Sequence, residues 1–199
     1  MRNPWIDALA PLLALSLGAW PGGPVLAEGG TVTGKVTVQP ARFQDETVVY
    51  LKDVPGKPTP AAREMDQKGM KFVPLVLVVA AGDTVRFLNH DGEDHNVFSP
   101  DGEPFNLGTF KSNDSRTHTF DEPGAFRIKC SIHPEMLGYV FVAPSRYVAA
   151  IDRKGRYTLA DVPPGTYRLA AWNANLEGPE KTITVQAGKT VEEDLTIKR

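Results

Sequence analysis

Lys129-Cys130-Ser131-Ile132-His133-Pro134-Glu135-Met136-Leu137-Gly138 lies between two segments that read as strands. Before it, Ala125 to Cys130 alternates so that Phe126, Ile128 and Cys130 share a face. After it, Gly138-Tyr139-Val140-Phe141-Val142-Ala143 is rich in β-branched and aromatic residues. Strands joined by so short a connection predict a hairpin, and a tight hairpin loop points its side chains at a common centre. This loop carries the chain's only cysteine, with a histidine at the third position after it and a methionine three further on. The pattern C-x-x-H-x-x-M gathers thiolate, imidazole and thioether in one place.

Working outward, short strands are predicted on both sides. Upstream they are Thr31–Val38, with Val32, Val36 and Val38 on one face, Thr47–Leu51, Leu75–Ala80, Thr84–Asn89, His95–Ser99 and Ser115–Phe120. Lys57–Pro60 is proline-rich and marks a boundary. Ala61–Lys68 has helical propensity over a span too short to hold a helix alone. Pro100–Gly108 is punctuated by Gly and Pro and reads as irregular. Downstream the strands are Tyr147–Ile151, Arg156–Leu159, Thr166–Trp172, Lys181–Val185 and Thr190–Ile197, separated by turns such as Pro163-Pro164-Gly165 and Ala187-Gly188-Lys189. No long amphipathic helix and no internal repeat appears. The fold class is all-β, built as sandwiches.

The chain has 199 residues, enough for one or two domains. Its formal charge of -2, with both signs interspersed, excludes the basic face of a nucleic-acid binder. Residues 1–27 read as a signal peptide. Arg2 precedes an apolar run from Leu9 to Trp20 that is too short to span a bilayer, and Val25-Leu26-Ala27 fits cleavage after Ala27. Pro11, Pro21 and Pro24 fit a retained spanning anchor poorly. Export to the periplasm follows, with no membrane span after cleavage. In an oxidising compartment a lone thiol is buried, metal-bound or used chemically, because it has no disulfide partner.

The donor set favours copper, which accepts thiolate, imidazole and thioether together. His95 starts a predicted strand some 35 residues before the loop and completes a set of His95, Cys130, His133 and Met136. His90 lies in the same polar loop, between Asn89 and Asp91, and reads as a solvated residue. His118 alternates with Phe120 and is predicted to face solvent, while Met65 and Met70 read as packing or loop residues. A single cysteine is too few for structural zinc. Haem c attachment needs C-x-x-C-H, which is absent. A Cys–His nucleophile leaves Met136 unexplained and lacks a placed acidic orienter. With four protein ligands and no open position, the chain is not expected to be an enzyme.

Phe72-Val73-Pro74, Gly82-Asp83-Thr84-Val85-Arg86-Phe87-Leu88-Asn89, His95-Asn96-Val97 and the C-x-x-H-x-x-M loop resemble the cupredoxin family over roughly residues 62 to 143. The short loop is most similar to the amicyanin type, since plastocyanin and azurin types have longer gaps before Met. The resemblance implies a Greek-key sandwich with one type 1 blue copper. His95, Cys130 and His133 would be its ligands, Met136 a long axial one, and Asn96 would hydrogen-bond towards Ser131. Gly30-Thr31-Val32-Thr33-Gly34-Lys35-Val36 and Gly155 to Leu169 resemble a carboxypeptidase regulatory-like, transthyretin-type β-sandwich. The expected domains are therefore 28–56 and 145–199 as one split sandwich and 57–144 as an inserted cupredoxin. The whole is similar to bacterial methylamine-utilisation or plastocyanin-like proteins. It implies single-electron transfer with a redox partner such as a periplasmic cytochrome c or a dehydrogenase, through an apolar patch at His133, Pro134, Leu137 and Phe98. The alternative is a copper-binding or delivery protein without a shuttle role.

Overall fold

The structure is a computed structural model and describes residues 28–102 and 104–199. The expected leader and its cleavage site lie outside the described residues. The chain opens with β1 (Gly30–Gln39) and β2 (Thr47–Lys52), joined through a 3-10 turn at Ala41–Glu46. Nine strands follow: β3 (Ala62–Gln67), β4 (Phe72–Val73), β5 (Val76–Ala80), β6 (Asp83–Asn89), β7 (His95–Ser99), β8 (Phe105–Phe110), β9 (Ser115–Phe120), β10 (Gly124–Lys129) and β11 (Leu137–Ala143). The last six are β12 (Val148–Ala150), β13 (Arg156–Val162), β14 (Gly165–Asn173), β15 (Glu180–Val185), β16 (Thr190–Glu192) and β17 (Leu195–Lys198).

Pairing sorts the strands into four sheets and two cores. β1 pairs with β13 on one side and with β16 and then β17 on the other, while a second sheet runs β12-β2-β14-β15. Between them pack Val36, Leu51, Tyr157, Leu169, Ile183 and Ile197. The middle nine strands form the sheets β5-β11-β10-β7-β8 and β4-β3-β6-β9. Their shared core includes Met65, Phe87, Val97, Phe110, Phe120 and Ile128. Each such side chain contributes about 1.5–3 kcal/mol on burial. Among the described residues, β1 and β2 pair only with strands that follow Tyr147. The two sandwiches touch through aromatic rings. Trp172 of β14 lies 5.2 Å from Phe141 and 5.7 Å from Tyr139 of β11, and Tyr50 of β2 lies 5.0 Å from Phe141.

Three segments differ from the reading of the sequence. Ala61–Lys68 is not helical: β3 runs parallel to β6, from Ala62 opposite Thr84 to Gln67 opposite Asn89. Met65 and Gln67 alternate into the core, and this pairing outweighs local helical propensity. The segment read as irregular holds β8, which starts at Phe105 and pairs with β7 across an irregularity between Asn96 and Phe98. Thr190–Ile197 is two strands, because the ladder is interrupted at Glu193 and Asp194 while the chain keeps one parallel register along β1, Thr33 opposite Glu192 and Val36 opposite Leu195. There the Glu193 N–H donates to the Thr33 carbonyl (2.8 Å) and the Tyr157 hydroxyl to the Glu193 carbonyl (2.6 Å). Gly34 is needed at this interruption, since any Cβ would collide with the Glu193 carbonyl.

Candidate metal centre

One end of the nine-stranded sandwich is closed by two loops. The first, residues 90–94, joins β6 to β7 and is braced by the buried Asn89. Its amide donates to the carbonyls of Glu93 (2.9 Å) and Phe110 (3.2 Å), and its side-chain oxygen accepts the Asp91 N–H (3.0 Å). His95 leaves this loop as the first residue of β7 and is wholly buried. The second loop is closed where Lys129 of β10 pairs with Leu137 of β11. Inside it the Met136 N–H donates to the His133 carbonyl (2.9 Å), tightening a turn over His133–Met136.

These loops bring together His95, Cys130 and His133 of the residues singled out by spacing. His95 Nδ1 and His133 Nδ1 are 3.0 Å apart. Cys130 Sγ is 4.0 Å from the first and 3.7 Å from the second. Metal–nitrogen bonds near 2.0 Å and metal–thiolate bonds near 2.3 Å place the donors of one ion about 3–4 Å apart, so the three fit a single metal. Cys130 and Met136 are buried and His133 is half-buried. One thiolate and two imidazoles, in a loop that also buries Met136, suit copper better than zinc or a hard cation.

The surroundings hold these donors in place. The Asn96 N–H points at Cys130 Sγ (3.4 Å) and holds the sulfur beside β7. The Asn96 side-chain oxygen accepts the Ser131 N–H (3.3 Å), tying the two loops together as the family resemblance implies, and its amide donates to Asn106 Oδ1 (2.8 Å). Asp91 was not singled out from the sequence. Its Oδ2 lies 2.9 Å from His95 Nε2, on the far side of the ring from His133. A carboxylate there holds the proton on Nε2 and leaves Nδ1 free to ligate. Partial burial pushes the Asp91 carboxyl up, but the Met70 and Gly69 N–H groups and His95 outweigh it and hold it below the ordinary carboxylate value. The spacing Asp91–His95 was a signal available in the sequence, hidden because loop acids are common.

The other sequence candidates fall elsewhere. His90 turns outward to Asp66 (2.9 Å) and is not part of the donor group. His118 does not simply face solvent: it is half-buried and stacks on Phe105 with ring centroids 3.8 Å apart. Met65 is core, and Met70 occupies a turn with φ of 59°. The exposed large apolar side chains among the described residues are Val73, Leu75, Ile132 and Leu137, which belong to the ligand loop and to the β4–β5 segment. Leu75 adjoins that loop's exit, since its carbonyl accepts the Tyr139 N–H (2.8 Å). Phe98, expected in this patch, is half-buried, whereas Pro134 and Leu137 are exposed.

Residues 60–143 match the family of copper binding proteins described as plastocyanin/azurin. This stretch is a cupredoxin domain. Copper is accordingly its cofactor, and His95, Cys130 and His133 form a donor group that suits it. Residues 143–193 match a second family, domain II of polysaccharide lyase family 4. That is a different family from the transthyretin-type one that the flanks resemble in sequence, and the match leaves out β1, β2 and β17. Among solved structures, a purple cupredoxin from Nitrosopumilus maritimus is 28% identical, with 40% of this chain and 98% of that one covered and a TM-score of 0.38. A reduced amicyanin variant is 26% identical over 47% of this chain and 97% of its own, with a TM-score of 0.39. A copper-containing nitrite reductase from Thermus scotoductus is 27% identical over 54% of this chain and 28% of its own, with a TM-score of 0.39. No curated protein matches the chain. No helix among the described residues is long and apolar enough to cross a membrane.

Proposed function

We propose that the chain is an exported, periplasmic type 1 copper protein that passes single electrons between redox partners. Its ligands are His95, Cys130, His133 and Met136. The observation that carries this reading is the convergence of two imidazole Nδ1 atoms and one thiolate within 3.0–4.0 Å in a buried pocket. Copper, when bound, supplies a one-electron couple between Cu(I) and Cu(II). The chain's own residues do the rest. Asp91 and Asn96 fix the ring and loop positions, so the donors stand in place before any metal arrives. Buried Met136, Val97 and Phe110 keep water out. His133 is the half-buried member, and it sits in the loop whose Ile132 and Leu137 offer apolar surface to a partner such as a cytochrome c or a dehydrogenase. With four protein donors assigned, no position is left for substrate, and the protein is read as a carrier and not an enzyme.

The topology supports reading residues 57–144 as a domain inserted between 28–56 and 145–199, because β1 and β2 pair with the strands after Tyr147. The leader-like residues 1–27 support export. The Cu(II)-loaded protein should show an intense blue absorption band, and Cys130→Ser should abolish it. A colourless Cu(II) form would defeat the assignment. A second reading, copper binding and delivery without shuttling, draws on the second sandwich, which packs Trp172 against Phe141 and could serve attachment. Stopped-flow reduction by a periplasmic cytochrome c separates the two: rapid exchange supports the carrier, and slow exchange with every such donor supports delivery.

A further inference from the structure

A groove of about 620 Å³ lies between the two sandwiches, lined by Val76–Ala80 of β5 and Val148–Ala150 of β12. Both strands are the outermost of their sheets. β5 runs parallel to β11, and the Tyr139 N–H donates to the Leu75 carbonyl. Odd-numbered residues of β5 therefore face β11, and Val76 and Val78 turn their N–H and C=O groups to the open side. On β12, Tyr147 and Ile151 bond back to β2, through Leu51 N–H to Tyr147 carbonyl (2.9 Å) and Ile151 N–H to Thr47 carbonyl (3.3 Å). Val148 and Ala150 thus turn theirs outward as well. Two unpaired strand edges border one groove, an arrangement that invites another strand.

The groove's charge is positive. Arg63 and Arg146 line it, and Lys57 lines an adjoining recess that also contains Arg146. Arg146 lies over the Tyr147 ring (5.2 Å) and has no carboxylate partner among the described residues. The one acid of the lining, Asp83, is buried and occupied: its carboxylate accepts the N–H groups of Ala61 (2.7 Å) and Ala80 (2.9 Å), with Arg63 at 3.5 Å.

We propose that this groove binds an extended acidic segment of a partner protein. The segment adds to the open edge of β5 as a further strand and sets its carboxylates against Arg63 and Arg146. Main-chain bonds to Val76 and Val78 would give affinity, and the arginines would give charge selection. A second copy of this chain is a poorer occupant, because pairing β5 with itself brings like charges together. The groove begins at Pro74, beside exposed Val73 and Leu75, so a partner seated there reaches the apolar patch next to the ligand loop.

The test is amide NMR of the copper(I)-loaded protein titrated with a peptide of about ten alternating valines and glutamates, long enough for one strand. Shifts should concentrate at Val76–Ala80 and Val148–Ala150, and Arg146→Glu should weaken binding by about 10-fold or more, as expected for losing a close charge pair. Arg63→Glu should act in the same direction, and combining the two should weaken binding further. A peptide of alternating valines and lysines should not bind. The proposal fails if the acidic peptide does not bind, if its shifts map to Ile132–Leu137, or if Arg146→Glu leaves affinity unchanged. The blue band of each variant should be unaltered, so this outcome is independent of the assignment of the metal ligands.

Discussion

The cupredoxin sandwich buries Gln67, Asp83, Asn89, His95, Asn96 and Ser99, whereas the flanking sandwich buries Thr47, Ser145 and Asn173. In the flanking sandwich these groups close loops. The Asn173 amide donates to the Phe43 carbonyl (2.7 Å) and to Thr47 Oγ1 (2.8 Å), and the Ser145 hydroxyl donates to the Leu51 carbonyl (3.0 Å). In the cupredoxin, Asn89 and Asn96 instead position a loop or a donor of the candidate metal centre. The architectures are alike, so the difference in chemistry resides in a few buried polar side chains and not in the fold. Burying such groups is unfavourable unless each is satisfied, and for Asn89 and Asn96 the bonds that satisfy them are those that hold the loops of the candidate centre.

The strongest test of this contrast compares a cavity in each core. Phe87 and Leu169 are both wholly buried, one in each sandwich. Phe87→Ala should destabilise its sandwich by about 3–5 kcal/mol and Leu169→Ala its own by about 2–5 kcal/mol. In a chain beginning at Glu28, Trp172 is the sole tryptophan and reports the flanking sandwich, while the blue band reports the cupredoxin. During denaturant unfolding, Phe87→Ala should move mainly the absorption midpoint and Leu169→Ala mainly the fluorescence midpoint. If either variant moves both equally, the rings around Trp172 and Phe141 join the sandwiches into one cooperative unit and the contrast breaks down.

Much of the fold was legible because period-2 alternation and turn residues are local signals. The hairpin at Phe126, Ile128 and Cys130 was read from them, and the structure buries all three. β3 was not legible, because Ala61–Lys68 has helix-forming residues and becomes a strand only by pairing with β6, some twenty residues away. The role of Gly34 was equally hidden, since it depends on the close approach of Glu193 from the far end of the chain. At the metal centre, the spacing in C-x-x-H-x-x-M carried the loop, and the structure brings His95 to it. Asp91 escaped notice because an acid in a polar loop is ordinary, and only its 2.9 Å contact with His95 distinguishes it.

Asp91 gives the next largest effect and tests whether polar burial in the cupredoxin serves the metal. Asp91→Asn keeps the size of the side chain but removes the negative charge facing His95 Nε2. Loss of such a carboxylate typically lowers metal affinity by about 10–100-fold. Competition for copper against a chelator should show this drop, while the Trp172 midpoint of the flanking sandwich stays where it was. Unchanged copper affinity would mean that the β6–β7 loop places His95 without help from the carboxylate.

The smallest effect lies in the flanking sandwich, where a polar residue has a structural role alone. Asp152 caps the turn between β12 and β13. Its carboxylate accepts the N–H groups of Lys154 (2.8 Å) and Arg156 (2.9 Å) and pairs with the Arg156 guanidinium (2.8 Å). The Arg156 backbone bond, followed by its side chain, lowers the carboxyl from 3.8 to about 2. A carboxylate with a depressed pKa in the folded state stabilises above its unfolded value and loses that stabilisation as the pH falls through the folded one. The difference in Trp172 midpoint between Asp152→Asn and the parent should therefore be constant above pH 3.8 and shrink as the pH approaches about 2. Because Asp152 is exposed, solvent screens the interaction and the difference should be small. A difference that persists unchanged to low pH would show that the turn is held by its backbone bonds, such as Gly155 N–H to the Asp152 carbonyl (2.8 Å), and not by charge. Either result leaves the blue band unmoved at neutral pH, as it must if polar groups in this sandwich serve structure only.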